Sequence, residues 1–210
     1  MTVEEYRQRI TATNRAAIRD AAVAAFLENG YERASMEDIA KRADVSTATL
    51  YKHATSKSTL FGWVLAAAWS VDDESAIQKL TDMLQGPPDA VLRAAGRHYA
   101  DSLCDVKVVS LFRVIIAEGQ RFPEIGEDLY NLAKRPYLEC IERYLIGATE
   151  EGVLSVDDPA GAARQFLGMI NDQVFWPRLL VAGFRAGPKA RDSVVREAVV
   201  TFLARFGARR

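Results

Sequence analysis

The sequence predicts an all-α fold of about nine helices. Apolar side chains recur three and four residues apart, which is the spacing of one helix face, and no convincing alternating strand pattern is present. Glycine and proline together mark the breaks between helices, most clearly at Gly86-Pro87-Pro88 and at Gly187-Pro188. The chain has 210 residues, of which 49% are hydrophobic and 26% charged, so it can bury a core and extensive disorder is excluded.

The first four predicted helices are marked by the residues at their ends. One helix covers about residues 11–29, and Gly30 ends it because glycine tolerates a left-handed cap. Ser35 begins a short second helix, Ser46 a third that ends near residue 53, and Ser56 a long fourth that ends near residue 83.

Five more helices are predicted after the break at Gly86. They cover about residues 88–104, 106–120, 124–149, 159–184 and 189–206. Pro136 lies inside the third of them, and because proline removes a backbone donor we expect a kink or a split there. Asp158 caps the fourth, with Pro159 in its first turn.

Charge and motifs exclude several classes of function. The net charge is −1, from 27 basic and 28 acidic residues, so any binding to DNA must come from a local surface. The uncharged stretch between Lys57 and Asp72 is shorter than the roughly 20 residues of a membrane span, and we expect no membrane association. No spacing typical of a metal site, a cofactor loop or a catalytic motif occurs, so we expect neither a cofactor nor an enzyme.

The two cysteines, Cys104 and Cys140, are too few for a disulfide framework. They favour a reducing, cytoplasmic setting. Plain buried thiols are the favoured interpretation, and a redox switch between them is the alternative.

Residues 35–53 have the pattern of a helix-turn-helix, two short helices joined by a tight turn. Ala40 supplies a small residue where the helices would cross, and Asp44 is a tolerable substitute for the glycine that such a turn usually has. Val45 and Leu50 supply apolar anchors after the turn and on the second helix. The rest of the second helix is polar or small, which suits a helix that enters the major groove of DNA.

Over Ala16–Phe61 the chain resembles the TetR/AcrR family of bacterial transcriptional regulators. The resemblance lies in F-x-x-x-G-Y, D-I-A-x-x-A, V-S-x-x-T-L-Y-x-H and S-K-x-x-L-F, which stand in the family's order and spacing. Two positions depart from the family pattern. Asp44 stands where the family usually has glycine, and Ala54 where it usually has an aromatic or aliphatic residue, which would loosen packing between the second helix and the next one.

The resemblance implies a DNA-binding domain over residues 1–56 and an effector-binding and dimerisation domain over residues 57–210. The DNA-binding residues that it implies are Ser35, Ser46, Thr47, Ala48, Thr49, Tyr51, Lys52, His53 and Lys57. Residues 47–49 would approach bases or nearby backbone, Tyr51 and His53 would contact phosphates, and Lys52 could reach either.

Ser35 and Lys57 belong to this set because each lies at the start of a helix, where free N–H groups favour a phosphate. Structural alternatives exist for three of the residues. Tyr51 would be an exposed aromatic, His53 a histidine cap at a helix C-terminus, and Lys52 a solvated lysine.

The segment Leu111–Tyr130 resembles the effector-domain segment of an AefR-like subgroup of the family. The family architecture implies a homodimer made by the last two long helices, at about residues 159–184 and 189–206, as a four-helix interface. The residues that would line it are Phe166, Ile170, Val174, Leu180, Val195, Val199 and Phe202. The alternative is that these faces pack only within one chain.

An effector pocket would lie among the helices between about residues 60 and 180. Its candidate lining residues are Trp69, Tyr99, Phe112, Ile116, Glu118, Phe122, Tyr137, Asn171 and Phe175. For each aromatic residue the alternative is plain core, and Arg113 with Glu118 would form either a partly buried pair in the pocket or a surface pair. We expect a small apolar effector that contains an aromatic ring, held by one or two polar groups.

These expectations describe a bacterial cytoplasmic regulator, nucleoid-associated when it is bound to DNA. Its partners would be a palindromic double-stranded DNA operator, a second copy of itself and an unknown small-molecule effector. The favoured action is repression, which the effector relieves by shifting the helix of residues 56–83. The alternatives are an activator or ligand-dependent DNA binder, a helical small-molecule binding protein with a vestigial DNA contact, and an enzyme with a helical fold.

Overall fold

A computed structural model describes residues 3–181 and 183–208, with the side chains of residue 11 and of residues 13 onward in those ranges. Within them the all-α prediction is confirmed, and the one pairing of extended residues is an isolated antiparallel bridge between Leu154 and Gly207. The predicted domain limits at residues 1 and 210, and position 182 of a predicted helix, lie outside the described residues. In the described part no helix has the length and apolar character needed to cross a membrane.

The helices follow the predicted order. They are α1 (Val3–Arg33), α2 (Met36–Arg42), α3 (Thr47–His53), α4 (Lys57–Ala68), α5 (Glu74–Met83), α6 (Pro88–Cys104), α7 (Val106–Glu118), α8 (Glu124–Leu129), α9 (Arg135–Glu150), α10 (Pro159–Leu180) and α11 (Pro188–Phe206), with a π-helical turn (Tyr130–Lys134) between α8 and α9.

Helix α1 is longer than predicted at its start and ends its regular part where predicted. Its first residues include Glu, Gln and Arg, which are strong helix formers. Gly30 has φ 75° and ψ 176° and interrupts the helix before its last turn. The inward face is formed by Ile18 and Phe26, both fully buried.

The predicted fourth helix, over residues 56–83, is wrong in one respect, because the structure divides it into α4 and α5. Ser70 takes the left-handed conformation with φ 55°, and the N–H of Val71 donates to Ala66 O at 3.0 Å, which closes the end of α4. The carboxylate of Asp73 then accepts from the N–H of Ala76 at 2.8 Å and begins α5. This break turns one predicted helix into two.

The helix predicted over residues 124–149 is continuous and contains a π-helical turn in place of a break at Pro136. The N–H of Arg135 donates to the carbonyl of Tyr130, five residues back. This wider turn lies just before Pro136, at the point where the regular i to i−4 hydrogen bonds are already interrupted. The missing N–H of Pro136 therefore breaks no further regular hydrogen bond. The segment from α8 to α9 is thus helical without interruption.

The helices pack into a small N-terminal unit and a larger remainder, which two helices connect. Helices α2 and α3 pack on each other, and α2 also packs on α1. Helix α10 lies against α6, α9 and α11 and forms the centre of the larger part. Helices α4 and α7 both pack on α1, while α4 also packs on the π turn and α7 on α10.

Candidate DNA-binding surface and effector cavity

The first candidate surface is the helix-turn-helix of α2 and α3, each of which begins with the predicted serine cap. Ser35 Oγ accepts from the N–H of Asp38 at 3.1 Å, and Ser46 Oγ accepts from the N–H of Thr49 at 3.1 Å. Leu50 is fully buried, as its predicted role of inward anchor requires. The caps define where each helix begins, and the anchor fixes the side of α3 that faces the protein.

Asp44 takes the left-handed conformation that the turn between α2 and α3 requires, with φ 53°. Aspartate is among the few residues other than glycine that tolerate this conformation. The N–H of Val45 donates to Ala40 O at 3.0 Å and closes the turn. The substitution of Asp for the family's usual glycine therefore leaves the turn intact.

Looser packing between α3 and α4 is expected at Ala54, and the structure shows two contacts there. Ala54 is buried, and its N–H donates to Leu50 O at 3.0 Å. Helices α3 and α4 also contact through ring stacking of His53 on Trp63, with centroids 6.2 Å apart and planes 9° apart. This aromatic contact supplies packing that the small Ala54 side chain does not.

His53 is held as a neutral imidazole near pH 7. Burial against the protein lowers its pKa, and the positive charge of Arg15 lowers the pKa further. A neutral imidazole keeps one ring N–H, so a phosphate contact of His53 would be a single hydrogen bond without a charge.

The outward side of α3 carries the residues predicted to meet DNA. Ala48, Tyr51 and Lys52 are exposed, and Thr47 and Thr49 are half-buried. The Thr49 hydroxyl lies 2.8 Å from Ser46 Oγ, so it is shared with the helix cap. These residues occupy one short helix, and their individual contacts with DNA remain predictions.

Lys57 has an additional structural partner that the sequence did not indicate. Its Nζ donates to Glu32 O at 2.9 Å and Ala34 O at 3.0 Å and lies 4.6 Å from the centroid of the Tyr31 ring. The ammonium therefore ties the start of α4 to the segment between α1 and α2. One of its three N–H groups stays free of these carbonyls, and its phosphate contact remains a prediction.

The second candidate site is a cavity of about 340 Å³ in the larger part of the chain. Six of the nine predicted pocket residues line it, namely Trp69, Tyr99, Phe112, Ile116, Asn171 and Phe175. Ile116 is 60% exposed and lies where the cavity meets solvent. The aromatic members are close together, since Phe112 and Phe175 meet edge to face at 4.8 Å between centroids.

Tyr137 does not line the cavity. It is fully buried behind Tyr99, with their rings stacked at 5.5 Å between centroids. Its hydroxyl donates to Ala95 O at 3.0 Å, and His98 Nδ1 lies 3.3 Å from the same hydroxyl. Tyr137 and His98 thus support the cavity wall from outside it.

Glu118 and Phe122 are also wrong as pocket residues, because the C-terminal end of α7 reaches the DNA-binding part. Glu118 accepts hydrogen bonds from the main-chain N–H groups of Tyr31 and Glu32, at 2.9 and 2.8 Å. The ring of Phe122 lies 5.2 Å from that of Tyr31. Arg113 does not pair with Glu118 either, since its guanidinium donates to the carbonyls at the end of α10.

Lys134 lines the cavity and was missed in the sequence. Its Nζ donates to the hydroxyl of Tyr99 at 2.7 Å and lies 4.8 Å from the centroid of that ring. Burial lowers the pKa of Lys134 to about 8. A lysine beside an arginine and a proline is typical of an exposed helix start, and only its spacing from Tyr130 and Tyr137 places it near the inward face.

Six of the seven residues predicted to line the dimer interface are not on the surface of the chain. Phe166, Ile170, Val174, Val195, Val199 and Phe202 are buried within their own chain, where α10 and α11 pack on α6. Leu180 is 72% exposed. The same two helices expose other apolar side chains, and Trp176, which is 47% exposed, also lines the cavity.

Both cysteines are free thiols. Cys104 is half-buried at the end of α6, and burial raises its pKa; Cys140 is buried in α9. Among the described residues no group of His, Cys, Asp and Glu is arranged to hold a metal ion.

Comparisons with known proteins find matches in both parts of the chain. The model of the bacterial regulatory proteins of the tetR family matches residues 18–63, and the model of the C-terminal domain of AefR-like transcriptional repressors matches residues 90–208. The HTH-type transcriptional regulator UidR of Escherichia coli K12 is 28% identical over 153 residues, which cover 68% of this chain and 70% of UidR.

Solved structures share the whole fold. A TetR-family transcriptional regulator from Mesorhizobium loti MAFF303099 is 30% identical, with a TM-score of 0.75 over 94% of this chain and 98% of its own. The flavonoid-responsive regulator FrrA is 28% identical, with a TM-score of 0.68 over the same shares of both chains.

Proposed function

The chain belongs to the TetR family, with a C-terminal domain of the AefR-like type. We propose that it binds a palindromic operator and represses transcription, and that a small apolar effector releases it from the operator. That it is a ligand-responsive, DNA-binding transcriptional regulator follows from the family. The operator symmetry, the class of effector and the direction of the response are the proposed part.

The observation that carries the proposal is the exposed outer side of α3 on a buried and capped helix-turn-helix. Leu50 anchors the helix, while Ala48, Tyr51 and Lys52 extend into solvent. A seven-residue helix of this kind fits the major groove with its first residues at the base edges. Thr47 and Ala48 are the residues proposed to contact bases, and Tyr51, Lys52, His53 and Lys57 those proposed to contact phosphates.

Two helices offer a route from the cavity to the DNA-binding part. Helix α4 bears Trp69 at its C-terminal end, in the cavity wall, and Lys57 and Trp63 toward α1 and α3. Helix α7 bears Phe112 in the cavity and Glu118 on the main chain of α1. The sequence predicts that one long helix of residues 56–83 moves when the effector binds, but the structure divides that helix. We propose instead that α4 and α7 move together.

An apolar effector fits the cavity because its walls are mainly aromatic and aliphatic. Phe112, Phe175 and Leu179 form part of the wall, with Asn171 as a neutral polar group. A flavonoid-responsive relative with the same fold supports an aromatic effector. For release, the effector must bind the DNA-incompetent arrangement more tightly, because equal affinity for both arrangements shifts nothing.

We propose a homodimer formed by the outer faces of α10 and α11. The exposed apolar residues Trp176, Leu180 and Val200 lie on these helices. Gly168 is also exposed, with no neighbouring atom near its Cβ position, and would allow a close approach of the partner helix. A twofold dimer would place its recognition helices about 34–36 Å apart, or a multiple, to reach successive major grooves.

The proposed partners are therefore operator DNA, a second copy of the chain and a small effector. The proposed setting is the bacterial cytoplasm, on the nucleoid when operator is bound. The family is one of transcriptional regulators, and we propose no enzymatic activity and no cofactor.

The test is operator binding measured by fluorescence anisotropy on fragments of the DNA upstream of the protein's own gene. We expect one fragment with a partly palindromic site to bind at least about a thousandfold more tightly than scrambled DNA. Thr47→Ala should change the preference between specific and scrambled sites. Equal binding to every fragment would favour the small-molecule binding protein with a vestigial DNA contact.

A reporter gene placed behind the same site decides the direction of the response. Repression predicts higher expression after deletion of the regulator, and lower expression would favour an activator. Expression that depends on added effector only when the regulator is present supports ligand-controlled release.

A further inference from the structure

Lys134 places a positive charge in the wall of an otherwise apolar cavity. Its Nζ lies 4.8 Å from the centroid of the Tyr99 ring and 5.9 Å from that of Trp69. The Tyr99 hydroxyl accepts one hydrogen bond from Nζ at 2.7 Å. The ammonium is thus surrounded mainly by aromatic rings.

No carboxylate neutralises this charge. Among the described residues none forms an ion pair with Lys134, and burial is the one cause of the lowering of its pKa to about 8. At neutral pH the side chain still carries its proton for most of the time. Lys134 is half-buried. Since partial burial of a charge without an ionic partner costs free energy, packing alone gives no reason for a lysine at this position.

The cavity wall also has spare hydrogen-bond donors. An ammonium has three N–H groups, and the Tyr99 hydroxyl takes one of them. The indole N–H of Trp69, which is itself a buried cavity residue, has no acceptor in the described part of the chain. A cavity with unused hydrogen-bond donors and a positive charge without an ionic partner favours a ligand that carries a negatively charged acceptor.

We propose that the effector is an apolar molecule with one anionic oxygen group, a carboxylate or an ionised phenol, which binds the ammonium of Lys134. This rests on the proposed function and names the chemistry of the effector for the same cavity. The apolar body of the molecule would lie against Phe112, Phe175 and Trp176. The acid would accept from Lys134 and, where its position allows, from the indole N–H of Trp69.

The test compares matched pairs of acids and their neutral amides, in the absence of DNA. The panel consists of benzoate, cinnamate, naphthalene-2-carboxylate and octanoate, each with its carboxamide. Binding is measured by calorimetry and by quenching of tryptophan fluorescence, because Trp69 and Trp176 line the cavity. We expect at least one acid to bind about 10–100-fold more tightly than its amide, the range for a hydrogen bond to a charged group.

Three variants assign the preference to Lys134. Lys134→Met should abolish the difference between acid and amide, while Lys79→Met, an exposed lysine on α5, should leave it unchanged. Tyr99→Phe removes the competing acceptor, so it should retain the preference for the acid or increase it. The last variant keeps its lysine and gives an independent result if Lys134→Met does not fold.

Two results would overturn the proposal. One is an acid preference that Lys134→Met retains, and the other is a panel in which no acid binds more tightly than its amide, including one in which no acid binds at millimolar concentration. Because these measurements need no DNA, their failure leaves the operator experiments untouched. Conversely, a failure to bind operator would leave a measured preference for acids over amides unaffected.

Discussion

The carboxylate of Glu118, at the end of α7, accepts a hydrogen bond from the main-chain N–H of Tyr31, just after Gly30, at 2.9 Å. Its other oxygen accepts from the N–H of Glu32 at 2.8 Å. A helix that lines the cavity is thereby bonded to the backbone of the DNA-binding part. Any movement of the end of α7 must either carry this backbone with it or break both hydrogen bonds.

Replacing Glu118 should weaken both stability and the effector response. Glu118→Ala leaves two main-chain N–H groups without their acceptor, and we expect a loss of about 1–3 kcal/mol in the free energy of unfolding. Operator affinity with and without the best-binding acid should differ less than in the wild type. Glu127→Ala, an exposed carboxylate on α8, is the control. An unchanged ratio of operator affinities in Glu118→Ala would mean that α4 alone carries the response.

Gly30 should tolerate no side chain. An alanine Cβ there would lie 2.6 Å from Glu118 Oε1, at a backbone conformation that side chains rarely adopt. We expect Gly30→Ala to destabilise by roughly 2–4 kcal/mol in urea unfolding. Gly86→Ala also has a positive φ but meets no atom within 4 Å, so it should cost only about 1–2 kcal/mol. If the two variants lose the same stability, the close approach of Glu118 has no energetic weight.

Lys52 and Lys57 should affect DNA binding alike and stability differently. Each phosphate contact contributes a slope of about −0.9 in log K against log salt, so each alanine variant should flatten that slope by about 1. Lys57→Ala should also lower the melting temperature, since its ammonium bonds Glu32 O and Ala34 O. Lys52 is exposed and its variant should melt normally. A lower melting temperature with an unchanged slope would leave Lys57 with its structural contact alone.

The dimer should depend on exposed residues of α10 and α11. Leu180 is 72% exposed and Val200 is 53% exposed, so arginine at both positions leaves the protomer core intact and should produce folded monomers in sedimentation experiments. Arginine at Val199 would instead unfold the chain, because that residue is fully buried. Val153→Arg, on a loop, is the control and should stay dimeric. A dimer that survives both arginines places the interface elsewhere.

Lys134→Met should stabilise the protein in a pH-dependent way. The pKa of Lys134 is about 8 in the folded chain and about 10.5 in the unfolded chain, so between these pH values the unfolded chain binds a proton that the folded chain has lost. The wild type therefore gains stability as pH rises through this window, and the full penalty applies below pH 8.

We expect Lys134→Met to be more stable by about 3 kcal/mol at pH 7 and to lose this advantage near pH 10.5. In the folded chain burial raises the pKa values of the neighbouring Tyr99 and Tyr137 and lowers the pKa of His98, so none of them titrates in this window. Their titration in the unfolded chain is common to wild type and variant and cancels in the difference between them. Urea unfolding from pH 6 to 10 measures the effect. A variant less stable than the wild type at pH 7 would show that the ammonium stabilises the fold.

The helix-turn-helix could be predicted to the residue because its determinants are local. A cap, a turn and an inward anchor each depend on side chains a few positions apart, as Ser46, Asp44 and Leu50 illustrate. The division of α4 from α5 has a local cause too, the capping carboxylate of Asp73. It was missed because the long uncharged stretch before it favours one buried helix.

The cavity and the dimer surface could be predicted only in part, since both depend on which helices meet. An apolar stripe such as Phe166, Val174 and Val199 predicts burial but does not say whether the same chain or a partner provides it. Lys134 was missed for the converse reason, because charged residues are normally exposed. Its role depends on Tyr99, which lies 35 positions away in the sequence.

Trp176 belongs both to the cavity wall and to the outer face of α10. In the proposed dimer, an effector in one protomer would therefore press on a side chain that the partner also touches. Occupancy of the first cavity would alter the second, and induction would follow a curve with a Hill coefficient between 1 and about 2. Transcription would then respond to effector concentration more steeply than it would with one independent site. A smaller side chain in place of Trp176 would make the response less steep.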